Sequence, residues 1–249
     1  MDPEQQLVEH ARRFAESGAA AAPTRLAATV LLLRPPLQVY LIRRVRTMAF
    51  AANMYVFPGG TVDPRDTDVD WIAPAHRLGL PDAQARAVAC AAVREVFEET
   101  GVLLAGRTPD DLLPDVSGPD WEEARRAVEA RELGFAELLR ARGLVLRADL
   151  LVPWARWITP EFEPRRYDTF FFLTRLPEGQ RTREVGGEAS HAVWVPAEQT
   201  ADLPMLPPTR TTLGQLVAAG SIDAAVAAAA DRDVATPVTP RVVDGRLVY

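Results

Sequence analysis

The sequence has a single cysteine, Cys90, among its 249 residues. One thiol excludes an internal disulfide and any zinc cluster built from cysteines, which suits a reducing compartment. No stretch reaches the roughly 18 consecutive apolar residues of a membrane span, and the first residues lack the apolar segment of a signal peptide. Residues 246–249 carry no recognisable targeting signal. We therefore expect a cytoplasmic protein with no membrane partner.

The sequence also has fewer basic than acidic residues, with 28 Lys and Arg against 34 Asp and Glu. The formal net charge is −6 at pH 7, which argues against nucleic acid as the main partner because that binding depends on basic patches. A negatively charged protein can still bind a phosphate substrate when a metal ion neutralises the phosphate locally. The composition, with 48% hydrophobic and 25% charged residues, is typical of a globular protein, and the length suffices for one large core or a core with an appended lobe.

The clearest local pattern predicts one helix over Asp82–Thr100. Asp82 can cap its start, Gly101 can end it in a left-handed conformation, and no glycine or proline interrupts it. With 3.6 residues per turn, one face collects apolar side chains and is predicted to be buried: Ala89, Val93, Val96 and Phe97. Cys90 lies at the flank of that face, which favours a buried structural thiol.

Three carboxylates share another face of this helix near its C-terminal end: Glu95, Glu98 and Glu99. They repel one another at the negative end of the helix dipole, at a cost of roughly a few tenths of a kcal/mol or more each. A divalent cation removes this conflict, and ligands that are all oxygen suit Mg²⁺ or Mn²⁺. The alternative is a solvated acidic helix end. We favour a metal site because Arg94 and Gly101 accompany the trio and Phe57-Pro58-Gly59-Gly60 precedes it, where glycine permits a sharp turn and a close backbone approach.

These residues resemble the signature of the Nudix hydrolases, which is a Gly, five residues, a Glu, seven residues, and Arg-Glu-(apolar)-x-Glu-Glu-x-Gly-(apolar). Residues 94–102 match its second half at every defined position, and Gly60 takes the place of the first glycine. Asp66 stands where the signature has Glu, and about 20 residues are inserted before Arg94. In the family the first acid chiefly orients the arginine, so the resemblance leaves Asp66 and Asp63 as alternative partners of Arg94.

The resemblance implies an α/β fold, a Nudix-type α/β/α sandwich with a mixed central sheet, an inserted loop and accessory helices. It implies Mg²⁺ or Mn²⁺ held by four groups: the carbonyl of Gly60 and the carboxylates of Glu95, Glu98 and Glu99. Either Glu95 or a loop acid, for which Glu188 is the nearest match, would take the proton from the attacking water. The expected catalytic residues are Arg94, Glu95, Glu98 and Glu188. A homodimer is a family-based expectation.

Within that family the chain resembles the long-insert branch that includes peroxisomal coenzyme A diphosphatases. The shared segments are residues 57–60 before a long insertion, Trp157–Pro160, Asp168–Phe172 and Leu206–Thr209. The implied substrate is coenzyme A or acyl-coenzyme A, giving 3′,5′-ADP and (acyl-)phosphopantetheine. Two alternatives stay open: a diphosphatase for ADP-ribose or NADH, and a Nudix-like nucleotide-binding module without catalysis.

Two basic clusters are candidate binding sites for substrate phosphates, with a solvated loop as the alternative for each. One follows a predicted strand and contributes Arg44 and Arg46; the other precedes the aromatic run 170–173 and contributes Arg165 and Arg166. In the motif of other coenzyme A-cleaving Nudix enzymes, Arg44 fits the arginine position, whereas Ala49 and Asn53 depart from it.

The remaining pattern gives the domain organisation. Residues 1–22 are predicted to form an accessory amphipathic helix, and residues 23–249 a Nudix domain. We expect insertions at about 61–81 (the first insert) and 106–143 (the second insert), and a helical segment from about residue 197. In the first insert Trp71 is predicted to cover apolar surface. In the second insert the alternating charges of Trp121–Arg142 predict one solvated helix, a lid or a dimer surface. Residues 241–249 are an edge strand or a tail.

Overall fold

A computed structural model describes residues 3–44, 53–73, 78–183 and 189–249. Its helices are α1 (Pro3–Ser17), α2 (Asp82–Thr100), α3 (Pro119–Glu129), α4 (Phe135–Ala141), α5 (Pro207–Ala219) and α6 (Ile222–Ala228). Its strands are β1 (Thr24–Arg34), β2 (Gln38–Arg44), β3 (Tyr55–Val56), β4 (Gly59–Thr61), β5 (Ala105–Gly106), β6 (Val145–Leu146), β7 (Val152–Ile158), β8 (Arg166–Arg175), β9 (Ala189–Pro196), β10 (Arg241–Val243) and β11 (Arg246–Val248).

The main sheet is mixed, as expected. Its strands follow the order β3-β2-β1-β8-β7, with β4 paired to β1 and β9 paired to β2. The strands β1 and β8 run parallel along residues 24–33 and 166–175, whereas β7 and β8, β1 and β4, and β2 and β9 are antiparallel. The apolar run of β1 lies at the centre of the sheet, where both of its faces are covered.

Alternate side chains of the central strands belong to two separate cores, one on each face of the sheet. One core takes Val30, Leu32, Phe170 and Phe172 and packs them against α2, α3 and α4. The other takes Leu31, Leu33, Phe171 and Leu173 and packs them against α5 and α6. Because neighbouring side chains of a strand point to opposite faces, this division produces the three-layer α/β/α sandwich.

Helix α2 has the predicted bounds, and the predicted apolar face is fully buried: Ala89, Val93, Val96 and Phe97 are each 0% exposed. Cys90 is buried as well. Gly101 ends the helix at φ 72°, and its N–H donates to the carbonyl of Phe97. The predicted cap at Asp82 is wrong, because Pro81 occupies the N-cap position and Asp82 lies inside the first turn with no side-chain capping bond.

Three other expectations need correction. Residues Gly59–Thr61 form the short strand β4 beside β1 rather than a sharp turn. The predicted helix over residues 121–142 is two helices, because Arg131 adopts φ 61° and the chain turns before α4. Nor is it a solvated helix, since Phe135, Leu138 and Leu139 are buried in the core. The last residues form a separate hairpin of β10 and β11 instead of an edge strand of the main sheet.

Within the described residues, no helix taken alone is long and apolar enough to cross a membrane; α5 and residues 222–231 meet that condition only as a pair, across a bend of 107°.

The glycine that ends α2 allows the packing around this helix to be tested. A Cβ on Gly101 would require a left-handed alanine and would lie 2.5 Å from Nε of Arg183. At Gly220, which ends α5 at φ 78°, a Cβ would meet no atom within 4 Å. We expect Gly220→Ala to cost about 1 kcal/mol of unfolding free energy, from the backbone alone. Gly101→Ala should cost more, by about 1 kcal/mol, because Arg183 must move and give up hydrogen bonds to the carbonyls of Val116 and Gly101.

Urea denaturation of the two variants and the wild type measures both costs. Equal losses would mean that Arg183 does not pack against Gly101 in solution.

Candidate active site

The C-terminal end of α2 lies directly beside the strand β4. The Gly59 N–H donates to Oε2 of Glu99 at 2.8 Å, and Nη2 of Arg94 donates to the carbonyl of Thr61 at 2.9 Å. A Cβ built on Gly60 would lie only 2.6 Å from Cδ of Glu95. Glycine at position 60 thus leaves room for this carboxylate, which a side chain there would displace. The predicted close approach is present, although the backbone is a strand.

The acid that pairs with Arg94 is Asp66. Its two carboxylate oxygens accept from Nε of Arg94 at 3.0 Å and from Nη2 at 3.1 Å. Asp66 is only 1% exposed, and the thiol of Cys90 also points to it at 3.7 Å. A two-point pair with a planar guanidinium fixes both groups in one orientation. Of the two alternatives left by the sequence, the geometry selects the residue at the position of the family's glutamate.

Asp63 has a different role. Its carboxylate caps the short 3-10 turn Pro64–Thr67 through the N–H of Arg65, while the N–H of Asp63 donates to Asp66. The hydrogen bonds from Arg65 lower the pKa of Asp63 to about 2. Asp63 thus shapes the turn that brings Asp66 to Arg94, and it does not pair with Arg94 itself.

The three carboxylates of α2 lie around Arg94 and β4 in a crowded, partly buried environment. Nη1 of Arg94 donates to Glu95 at 2.8 Å and to Glu98 at 3.1 Å. Burial raises the pKa of Glu95 to about 7, with Arg94 opposing the rise and Glu98 adding to it. Burial also raises the pKa of Glu98 and of Glu99, and the charge of Glu95 raises that of Glu99 further. These acids are costly to ionise without additional positive charge.

This donor set fits a hard divalent cation. Among the described residues, no three His, Cys, Asp or Glu side chains already surround one metal position. The contacts give the reason, since Arg94 holds Glu95 and Glu98 while the backbone of Gly59 holds Glu99. Each of these contacts uses one carboxylate oxygen, so each glutamate retains a second oxygen for a cation. An ion there would offset the burial and the repulsion that together raise the three pKa values.

A cavity of about 1190 Å³ opens from these carboxylates. One part of its lining, the insert wall, comes from the two inserts and is rich in charge: Asp63, Arg65, Val128, Glu129, Arg131 and Leu133. Another part, the terminal wall, comes from α1, the end of β7 with its following loop, and the C-terminal residues: Leu7, Trp157, Ile158, Pro160, Pro240 and Leu247. One molecule bound in the cavity could thus contact carboxylates, arginine side chains and apolar surface together.

The predicted phosphate-binding arginines fall in different places. Arg44 and Arg165 line the cavity, and the charge of Arg44 is one of the influences that lower the pKa of Glu99. Arg166 is not part of the lining, because its guanidinium donates to the carbonyls of Thr159 and Ala22 and so holds backbone in place. Arg46 and Glu188 lie outside the described residues, and their predicted roles stay predictions.

The second insert supplies site residues that sequence reasoning missed. Arg125 is buried, and its Nη1 donates both to the carbonyl of Glu98 at 2.7 Å and to the carboxylate of Glu129 at 2.8 Å. It therefore ties α3 to the end of α2 beside a candidate metal ligand. The only signal in the sequence was a glutamate three residues before Arg125 and another four after it, a spacing equally typical of a solvated helix face.

The fold and the arrangement of Gly60, Arg94 and the three glutamates define the Nudix hydrolase class. A family model described as the NUDT19 Nudix domain matches residues 74–204, just over half of the chain. The chain belongs to this family, in the coenzyme A diphosphatase branch of the Nudix hydrolases.

Individual relatives agree with this assignment. The chain is 30% identical over 189 residues to the acyl-coenzyme A diphosphatase NUDT19 of Homo sapiens, covering 58% of this chain and 50% of that protein. It is 29% identical over 186 residues to a putative nudix hydrolase 7 of Caenorhabditis elegans, covering 74% and 56%. The chain thus spans about half the length of the curated relatives it matches.

A crystal structure of a NUDIX hydrolase from Alicyclobacillus acidocaldarius superimposes with a TM-score of 0.68 at 28% identity. The superposition covers 83% of this chain and 96% of that one. The similarity therefore extends well beyond the segment matched by the family model.

The pairing of Asp66 with Arg94 can be tested against Asp63. Asp66→Asn removes one charge of a buried two-point pair, so we expect a loss of about 3 kcal/mol of unfolding free energy. Asp63→Asn removes a turn cap and a partly exposed pair with Arg65, worth about 1 kcal/mol. Urea denaturation compares the two variants, and a larger loss for Asp63→Asn would contradict the assignment.

Proposed function

We propose that this protein is a divalent-metal-dependent hydrolase that cleaves the diphosphate bond of a nucleoside diphosphate derivative. The best candidates are coenzyme A and acyl-coenzyme A, with 3′,5′-ADP and (acyl-)phosphopantetheine as products. The observation that carries this proposal is the gathering of Glu95, Glu98 and Glu99 beside Gly60 at the cavity.

In this proposal Mg²⁺ or Mn²⁺ is held by the three glutamates together with the carbonyl of Gly60. When bound, such an ion supplies a Lewis acid that neutralises diphosphate oxygens and makes water more acidic. The raised pKa values of the three glutamates support the assignment. Burial disfavours their ionised forms, and a bound cation would stabilise those forms.

The protein's own groups have separable roles. Arg94, fixed by Asp66, holds Glu95 and Glu98 in place through Nη1. Glu95 is a candidate base for the attacking water, and Glu188 is the other candidate. Arg44 and Arg165, both in the cavity lining, are the residues we assign to the substrate phosphates.

Two observations support coenzyme A derivatives over smaller nucleotides. Curated relatives at 26% and 30% identity carry the name acyl-coenzyme A diphosphatase. The cavity, at about 1190 Å³, exceeds the range of about 300–1,000 Å³ that is usual for drug-sized ligands. A space of that size accommodates a long substrate with a nucleotide at one end and a flexible arm at the other.

We also infer that residues 23–249 act as one Nudix domain with residues 1–22 as its accessory helix. A reducing compartment such as the cytoplasm is consistent with the lone buried thiol of Cys90. The expected homodimer stays a prediction.

The metal assignment is tested by Glu98→Gln, with Glu123→Gln as the matched control. Glu123 is an exposed residue of α3 outside the cavity, so both changes remove one carboxylate charge. Glu98→Gln should lower metal-dependent turnover of coenzyme A by about a hundredfold or more and weaken Mn²⁺ binding in calorimetry, with the circular dichroism spectrum preserved. Glu123→Gln should change neither. Unchanged turnover and Mn²⁺ affinity in Glu98→Gln would refute the assignment.

The substrate is tested with a panel of coenzyme A, acetyl-coenzyme A, ADP-ribose and NADH at saturating Mg²⁺. We expect kcat/KM to be highest for the coenzyme A compounds, with 3′,5′-ADP identified as product by chromatography. A higher kcat/KM for ADP-ribose or NADH would show that the substrate assignment is wrong, while the assignment as a diphosphate hydrolase would stand. Nucleotide binding without turnover of any compound would favour the non-catalytic module.

A further inference from the structure

The terminal wall of the cavity is built from parts of the chain that lie far apart in sequence. Its six residues are apolar, although α1 and the loop after β7 also contribute His10, Glu163 and Arg165 to the cavity lining. Leu7 comes from α1, Trp157 and Ile158 from the end of β7, and Leu247 from β11, with Pro160 and Pro240 between them. Trp157 and the two prolines are buried, whereas Leu7, Ile158 and Leu247 remain partly exposed. The partly exposed side chains therefore offer apolar surface to whatever enters the cavity.

Specific contacts hold this wall together. Nδ1 of His10 lies 3.0 Å from the carboxylate of Glu163, which joins α1 to the loop after β7. The Ile158 N–H donates to the carbonyl of Val238 at 2.9 Å, and the rings of Trp157 and Tyr249 lie 5.4 Å apart. Helix α1 packs against β11. The N- and C-terminal elements thus form one side of the cavity and do not hang free from the domain.

The hairpin has two distinct faces. Leu247 is partly buried and lines the cavity, whereas its neighbour Val248 is 50% exposed and points away from it. Adjacent residues of a strand point to opposite faces, so this difference follows from the backbone. The pair allows a cavity-facing and an outward-facing apolar residue to be compared in the same strand.

The two walls differ in polarity. The insert wall holds Arg65 and Arg131, with Nη1 of Arg65 donating to the carbonyl of Arg131 at 3.1 Å. Charged side chains suit the phosphorylated nucleotide of a substrate and disfavour an alkyl chain. The acid that the loop after β7 contributes to the lining beside the terminal wall is Glu163, and it is paired with His10. An apolar substituent of the substrate is therefore stabilised at the terminal wall.

We propose that the terminal wall is the binding site for the acyl chain of acyl-coenzyme A, and that Leu7 and Leu247 make this enzyme select longer acyl chains. The inference rests on the proposed function for the identity of the substrate. It adds that α1 and the C-terminal hairpin, both outside the segment matched by the family model, determine acyl specificity.

Burying one methylene group is worth about a threefold to fourfold gain in affinity, as an upper range for a fully buried group. The wild-type kcat/KM should therefore rise about tenfold or more from acetyl- to hexanoyl- or decanoyl-coenzyme A. Leu247→Ser and Leu7→Ser should each reduce the ratio of kcat/KM for decanoyl- to acetyl-coenzyme A by about tenfold. Val248→Ser is the control and should leave that ratio unchanged.

The two leucine variants lie on different elements, but α1 packs against β11. The circular dichroism spectra and urea denaturation of both variants are therefore compared with the wild type to detect undocking. The same ratio is measured for dissociation constants, by calorimetry in EDTA, where no turnover occurs. If the wild type hydrolyses no coenzyme A compound, the proposed function fails, and the calorimetric ratio still decides whether the wall binds acyl chains.

Three results overturn the inference while leaving the hydrolase intact. The first is a wild-type ratio that does not depend on chain length. The second is an equal loss for all substrates in Leu7→Ser and Leu247→Ser with the ratio unchanged, which would assign the wall to a part shared by all of them, such as the adenine base. The third is an equal effect of Val248→Ser on the ratio.

Discussion

The buried guanidinium of Arg94 is the interaction on which the site depends. Its donors reach Asp66 in the first insert, the carbonyl of Thr61 in β4, and both Glu95 and Glu98 on its own helix. Burial alone would lower the pKa of Arg94, but Glu95, Asp66 and Glu98 raise it overall. One permanent cation with a planar fork of donors therefore joins three segments of chain and partly neutralises acids that would otherwise be too costly to bury.

The two inserts extend this arrangement instead of interrupting it. The first insert begins with a tight 3-10 turn that returns Asp66 to Arg94, and Trp71 farther along packs against the core with Arg86 stacked on its ring. The second insert buries Phe135 and places Arg125 against the end of α2. Added sequence in this branch thus becomes cavity wall and support for the acidic helix, rather than a solvated lid.

Helix α1 and the final hairpin extend the cavity in the same way. Helix α1 and the final hairpin pack together, and the segment between α6 and the hairpin runs along β7 through Val238. Helix α1 and the hairpin, which look accessory in the sequence, therefore form an apolar wall of the cavity, whereas the inserts form a charged wall. A site built in this way combines an acidic centre on one helix with cavity walls that distant parts of the chain supply.

The sequence by itself determined α2, because capping glycine, helical period and apolar face are all local properties of residues 82–101. It also determined the grouping of Glu95, Glu98 and Glu99, which follows from helix periodicity. Only the tertiary structure decided that Asp66 and not Asp63 meets Arg94, that Arg166 holds backbone, and that Arg125 supports Glu98. Those contacts join residues some 30 to 140 positions apart, and local patterns carry no information about which distant groups a fold brings within hydrogen-bonding distance.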